Sequence, residues 1–503
     1  MKTIGPLLLI LVVGAVLLFK NLGNVYFWVD EAETALVART IGSGEDGFNW
    51  LPRAWDGRNL VTEPGVSVNC DQFNDDLVWT LSPWAMHYFA AAGFRIWGPT
   101  TFGGRFLFAM IGLAGILLLY WVGRLYTADS KTALLSAALL ALNTPYLLHM
   151  RQCRYYGLLP FGFLLMLAGY RKLGRFRYDL LFLVGAIFLF YAQNSACLFT
   201  LLGFWIHFLL FGFERRLFFR FAAITIGIAA LGTPWFLYSD PARVHRHIQH
   251  FHRPSFFPAI GEYLAAYNNH IFPFAILLAY PLLGQNRRIL NLAACLFVPP
   301  ILLVSYLLWP NPRYTVFLIP LLSLLSGLMV VACFRRKRIL GFAVLGALLL
   351  FHGRAFLPFL YEITHDYDGP NEGIVEFLRE HAGPDDFVFT FHNPLPIMFY
   401  TNLRMVGQIT TSDPEARRRV EGLPSYLYSF KQADWIIERP RSEIVNPAME
   451  YARAMEEKGG WRLTRYRVPY PDIPWENRPH FAEHKYRTQP VDFGFHVHRV
   501  TRR

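Results

Sequence analysis

The feature that most limits how this chain can fold is a series of eleven apolar runs, near residues 4–24, 103–124, 132–150, 155–170, 179–194, 196–213, 219–238, 270–284, 289–309, 314–334 and 339–357. A helix needs about 20 mostly apolar residues to cross a bilayer, where only a helix or a closed barrel satisfies its own backbone. Several runs are shorter, so their helices must borrow interfacial residues at the ends. Composition agrees: 54% of residues are hydrophobic and 17% charged, against about 25% charged in a soluble domain. Disorder, coiled coil, collagen and an ordinary water-soluble enzyme are excluded. The first run follows Lys2 as a secretory signal would, but no small-residue cleavage site follows and Lys20-Asn21 comes directly after. It reads as a retained span.

The net charge of +12 would suggest nucleic acid if the basic residues formed a patch. They sit instead in alternate connections. With the N-terminus in the cytoplasm, the inner connections hold Arg124 and Lys131; Arg171, Lys172, Arg175 and Arg177; Arg215, Arg216 and Arg220; Arg287 and Arg288; and Arg335 to Arg338. The short outer connections hold only Arg151, Arg154 and Arg313, or no charge at all. This is the positive-inside pattern, and it accounts for much of the charge without nucleic acid. The five cysteines have no CxxC spacing, which argues against a metal cluster or a disulfide scaffold.

The expected fold is therefore a polytopic α-helical membrane protein of about eleven transmembrane helices over residues 1–357. Two large outer loops are expected at 25–102 and 239–269, and a small extracytoplasmic α/β domain at 358–503. That tail reads as helix at 371–381, strand at 386–391, strand at 434–438, helix at 447–458 and strand at 461–468.

The first outer loop carries ten carboxylates. It opens on Trp28-Val29-Asp30-Glu31-Ala32, where Ala32, Ala35 and Leu36 share a helical stripe. The pattern predicts a short helix along the membrane surface, with Asp30 and Glu31 at its N-terminal end, where the helix dipole favours carboxylates. A second, aromatic-rich interfacial helix is expected in 79–99.

Taken in order, these pieces resemble the GT-C membrane glycosyltransferases, in the branch of protein mannosyltransferases and aminoarabinose transferases. The resemblance rests on Trp28 to Ala32 after the first span; Ser82-Pro83 and Trp97-Gly98-Pro99 ahead of Arg105; Arg151-Gln152-Cys153-Arg154-Tyr155-Tyr156 after the third span; and Pro312-Arg313-Tyr314 opening a late span. It covers about residues 1–335. The chain departs from the aminoarabinose branch at Leu81-Ser82-Pro83-Trp84, where that branch has Glu-Lys-Pro-Pro; no lysine stands here for the donor phosphate. Tyr155 and Tyr156 stand where the family often has an acid.

The resemblance implies transfer of a sugar from a polyprenyl-phosphate donor to a hydroxyl of a lipid, glycan or protein on the outer face, in a bacterium the periplasmic face of the inner membrane. Such a reaction needs a base for the acceptor hydroxyl and cations for the departing phosphate. Asp30 is the expected base, with Glu31 in support. Arg151, Arg154, Tyr156, Arg313 and Tyr314 are the expected donor-phosphate contacts; for the arginines the plainer reading is an interfacial anchor. Glu63, Asp75 and Asp76 are candidates for a second carboxylate or an acceptor contact, and each also reads as a solvated loop acid. A divalent metal, held by Asp30 or by His245, His247 and His250, is the one cofactor considered; those histidines equally suit a polar loop. Two other readings remain open: an oligosaccharyltransferase or ligase using a diphosphate-linked lipid, and a transporter or flippase. Transporters place ionisable groups at mid-membrane depth, whereas the span centres here hold almost none.

Overall fold

The structure is a computed structural model that describes residues 3–42, 50–61, 72–240, 255–307, 311–390, 394–407, 409, 414–438, 446–469, 481, 484 and 494–503. Each of the eleven apolar runs contains helix. Six helices are long and apolar enough to cross a membrane unaided: Thr101–Thr127, Asn194–Phe211, Arg215–Ser239, Arg287–Tyr306, Pro312–Arg336 and Arg338–Thr364. Ser130–Ala141 and Thr144–Met150 add a seventh if the pair, bent by 63°, is one span. Four runs give shorter helices: Ile4–Phe19, Tyr155–Tyr170, Phe274–Gly284 and Phe176–Ala192. The expected eleven full crossings are thus helical throughout, but full length at six or seven. The bend has a local cause. The Asn143 side chain accepts from Tyr146 N at 3.0 Å and Pro145 follows at the first turn, so a new helix starts there.

Within Pro312–Arg336, residues 315–333 are buried throughout and form the centre of the bundle. Small residues let backbones approach: a Cβ on Gly327 would stand 2.3 Å from Ser136 Oγ, and one on Gly185 would stand 2.7 Å from Met166 N. The helices define two ends. At one, basic connections meet each other, with Arg335 paired to Asp129 and Arg220 to Asp179. At the other, the turns around Arg154 and Arg313 meet the start of the first loop.

That first loop is not a free flap. Its helices are α2 (Val29–Arg39) and α3 (Ala85–Trp97), lying between α1 (Ile4–Phe19) and α4 (Thr101–Thr127). Helix α2 is buried on nearly every side, with Glu31, Ala32, Thr34, Ala35, Leu36, Val37 and Ala38 all enclosed. It does not lie on a surface as its sequence suggested, because α3 and the helix Pro394–Thr401 pack over it. The second loop also differs from expectation. Residues Phe256–His270 are helical, held by Ala259, Tyr263 and Tyr267, which recur every four residues on one buried face. The histidines His245, His247 and His250, like Glu63, lie outside the described residues.

The last long helix runs past the expected boundary at 357 to Thr364. The tail then forms a five-stranded sheet in the order β2-β1-β3-β5-β4, from β1 (Phe387–Thr390), β2 (Arg404–Met405), β3 (Trp435–Glu438), β4 (Trp461–Pro469) and β5 (Gly494–Arg502). β1 runs parallel to β2 and β3; β5 is antiparallel to β3 and β4. With helices Pro370–His381 and Pro447–Glu457 this is the expected small α/β unit; β2 and β5 are additions. The first loop docks on it through Ala54, Leu60 and Phe73 against Ile409, Val420 and Leu427. Asn59 completes the joint, donating to Leu403 O and accepting from Met405 N, both at 2.8 Å. Asn59→Ala would leave both backbone groups unpaired in a buried joint, at about 1–3 kcal/mol each. The expected outcome, checked by limited proteolysis, is faster cleavage in the first loop.

Candidate active site

Asp30, Glu31 and Glu33 share the first turns of α2 and point two ways. A residue one place along a helix is turned about 100° away, whereas residues three and four along return to the same face. Glu31 therefore faces away from Asp30 and Glu33. It is 1% exposed and receives two parallel bonds from Arg105, 2.8 Å from Nε and 2.6 Å from Nη2, plus Cys153 N at 2.7 Å. Arg105 also donates to Leu22 O and Val25 O. The pair ties α2 to α1, α4 and the Cys153 turn. Oε1 takes two of these bonds and Oε2 one, so Glu31 is held against Arg105 rather than turned toward Asp30. Removing one partner of such a buried pair costs about 3–5 kcal/mol. Arg105→Ala is expected to destabilise the folded protein by that amount, measurable as reduced resistance to thermal unfolding in detergent.

Arg154 lies against the other face of α2. Its Nη1 donates to Glu33 Oε1 at 2.6 Å, Thr34 Oγ1 at 2.9 Å and Asp30 O at 3.0 Å, and its Nη2 stands 4.0 Å from Asp30 Oδ2. Burial raises the carboxyl of Glu33 above the usual carboxylate range, and Arg154 only partly offsets this. Arg313 approaches from the opposite side, with Nη1 3.4 Å from Asp30 Oδ2. Its guanidinium lies over three rings, Trp28 at 5.6 Å, Tyr156 at 5.6 Å and Tyr314 at 5.3 Å. The turn that carries it is fixed by Phe256–His270: Tyr263 OH bonds Asn311 on both its N and O at 3.1 Å, and Tyr267 OH donates to Thr315 O at 2.7 Å.

The result is a carboxylate between two guanidiniums. Asp30 is 25% exposed and its side chain accepts no hydrogen bond from the described residues, only these two ion-pair contacts. The Nε atoms of Arg154 and Arg313 are both buried without a partner. The cluster thus keeps a free acceptor on Asp30 and spare donors on two arginines. Its neighbours are these two cations and one further acid, Glu33, which is itself bonded to Arg154. Among the described residues no group of three or more His, Cys, Asp or Glu is arranged to hold a metal. The two guanidiniums on Asp30 Oδ2 oppose a divalent ion there.

The other expected contacts fall elsewhere. Arg151 turns to the end of α1 and donates to Leu17 O, Leu18 O and Lys20 O at 2.9–3.0 Å, satisfying carbonyls that a helix leaves open. Asp75 pairs with Arg419 at 3.3 Å and Arg418 at 3.9 Å, at the joint with the tail. Asp76 is exposed beside it and its backbone O accepts from Arg53. His87 bonds Thr34 O and is buried, which lowers its pKa to about 3 and keeps it neutral. Glu33, Arg105 and Trp28 were missed as site residues. For Glu33 the signal was present, three places after Asp30.

Comparison with known proteins places this geometry. No family profile matches the sequence, and no curated protein matches it. Solved structures do. ArnT from Cupriavidus metallidurans in the apo state superposes with a TM-score of 0.65 at 15% identity, over 99% of this chain and 98% of that one. The chain has the GT-C fold. The same ArnT bound to undecaprenyl phosphate gives 0.62 at 15% identity, over 98% of each chain. The oligosaccharyltransferase AglB from Archaeoglobus fulgidus, in complex with an inhibitory peptide and a dolichol-phosphate, gives 0.54 at 10% identity, over 87% of this chain and 69% of that one.

Proposed function

We propose that the chain is a membrane glycosyltransferase that moves a sugar from a polyprenyl-phosphate donor to a hydroxyl on a lipid, glycan or protein. The observation that carries this is the uncommitted Asp30 carboxylate between Arg154 and Arg313. Support comes from a fold shared with an ArnT structure that holds undecaprenyl phosphate. The acceptor O–H gives its proton to Asp30 as its oxygen bonds the anomeric carbon. The bond from that carbon to the phosphate oxygen breaks, and its electron pair leaves with the polyprenyl phosphate. Arg313 and Arg154 stabilise the charge that develops there. Tyr156 and Tyr314 hold the Arg313 guanidinium from its flanks. Glu33 holds Arg154 in place. The basic connections at the opposite end of the bundle support a site on the extracytoplasmic face, in a bacterium the periplasmic side of the inner membrane.

The test is turnover by the purified full chain in detergent with polyprenyl-monophosphate sugars and mixed glycolipid acceptors. Release of polyprenyl phosphate together with a glycosylated acceptor is the expected result. Turnover of diphosphate-linked donors alone would replace this reading with an oligosaccharide ligase, and no turnover of either donor would remove it.

A further inference from the structure

A large cavity lies at the far end of the helices that build the site. The helix Tyr155–Tyr170 starts beside Arg154 and ends in its wall; Arg287–Leu307 starts in its wall and leads toward the Arg313 turn. At about 1.5 Å per residue these helices put it roughly 20–30 Å from Asp30. The cavity measures about 790 Å³. Its charged lining is Arg171, Arg287 and Arg288, and none of the described lining residues is an acid. Arg171 lies over Tyr126 at 5.6 Å and Arg287 over Tyr280 at 5.0 Å. Neither these two nor Arg288 forms an ion pair with a described residue, unlike Arg335 and Arg220 at the same end of the bundle. All three arginines are exposed, so their guanidiniums are open to an anion entering the hollow. Phe211, Ile289 and Leu292 add an apolar strip to a wall that also holds Tyr126, Tyr170, His207 and Asn286. A free inorganic anion would use only the cations, whereas a lipid uses both surfaces.

We propose that this cavity holds a lipid-borne phosphate: Arg171, Arg287 and Arg288 contact the phosphate oxygens, and the apolar wall receives the first part of the chain. The site is separate from the transfer centre and does not depend on the reaction assigned there. Its source is either an anionic phospholipid of the membrane or a polyprenyl phosphate.

The experiment titrates the full chain in a neutral detergent with phosphatidylglycerol, polyprenyl phosphate, phosphatidylcholine and inorganic phosphate, and reads bound lipid by native mass spectrometry. The expected result is retention of phosphatidylglycerol or polyprenyl phosphate in preference to phosphatidylcholine, and about a tenfold loss of affinity for that lipid in Arg171→Gln/Arg288→Gln. Which of the two responds to the double variant names the source. If the pair fails to fold, Arg288→Gln alone reads the same loss, since Arg288 makes no hydrogen bond to a described residue. Equal retention by wild type and variant overturns the proposal, as does inorganic phosphate displacing the lipid at equal concentration.

Discussion

Asp30→Asn is expected to lower the transfer rate by roughly 10²- to 10⁴-fold, the range set by loss of a general base, with the protein still folded. The amide has the same shape but cannot take the acceptor's proton. Folding should survive because the carboxylate accepts no hydrogen bond from the described residues and is 25% exposed. Donor binding should hold or tighten, since the two guanidiniums lose an internal anion that competes with the phosphate. The check is kcat and donor KM of the purified variant beside its far-ultraviolet circular dichroism. Full turnover in a folded Asp30→Asn protein would end the assignment. Glu31→Gln gives the contrasting result. It weakens the bond to Arg105, so the loss is in stability first.

Arg313→Ala carries the second large effect. Arg313 has one acidic neighbour, Asp30, and is otherwise enclosed by Trp28, Tyr156 and Tyr314. Removing a group that stabilises charge developing in the transition state costs roughly 10²- to 10³-fold in rate. Arg313→Lys should recover only part of this, because an ammonium does not reproduce the planar fork of donors. Arg154→Ala is the less clean variant. It also strips Glu33 and Thr34 of their shared partner, so a fall in stability accompanies the fall in rate. The measurement is initial rate against donor concentration for both variants. An unchanged donor dependence in Arg313→Ala would remove phosphate binding from its role.

The placement of these residues shows what sequence alone can deliver. Arg154 and Arg313 stood out because they are positive charges on turns where the topology disfavours them. The structure brings both to Asp30. Arg151 carried the same signal and does something else, since three residues of irregular turn are enough to point it at the end of α1. Nothing in the order of residues separates the two arginines. Glu33 rather than Glu31 shares the face of Asp30, because residues three apart on a helix lie together and adjacent ones do not. Phe256–His270 was read as loop because its buried face consists of Ala259, Tyr263 and Tyr267, too sparse to mark a span. In the tail, β1, β3 and β4 were legible from runs of apolar residues. β2 has only two residues, and the buried His498 of β5 interrupts a plain alternation.

The backbone just ahead of Asp30 is gripped by the end of the chain. Tyr26 N donates to Glu372 at 2.6 Å, Phe27 N to the Tyr400 hydroxyl at 2.9 Å, and Asn371 donates to Phe27 O at 3.0 Å. The Tyr26 and Tyr400 rings stack at 4.0 Å. The tail therefore works as a vice on the mounting of Asp30. An engineer grafting a different tail onto this membrane portion, to redirect it toward another acceptor, would have to exchange residues 24–28 along with it, or the reacting carboxylate would lose its aim while every membrane helix stayed in place.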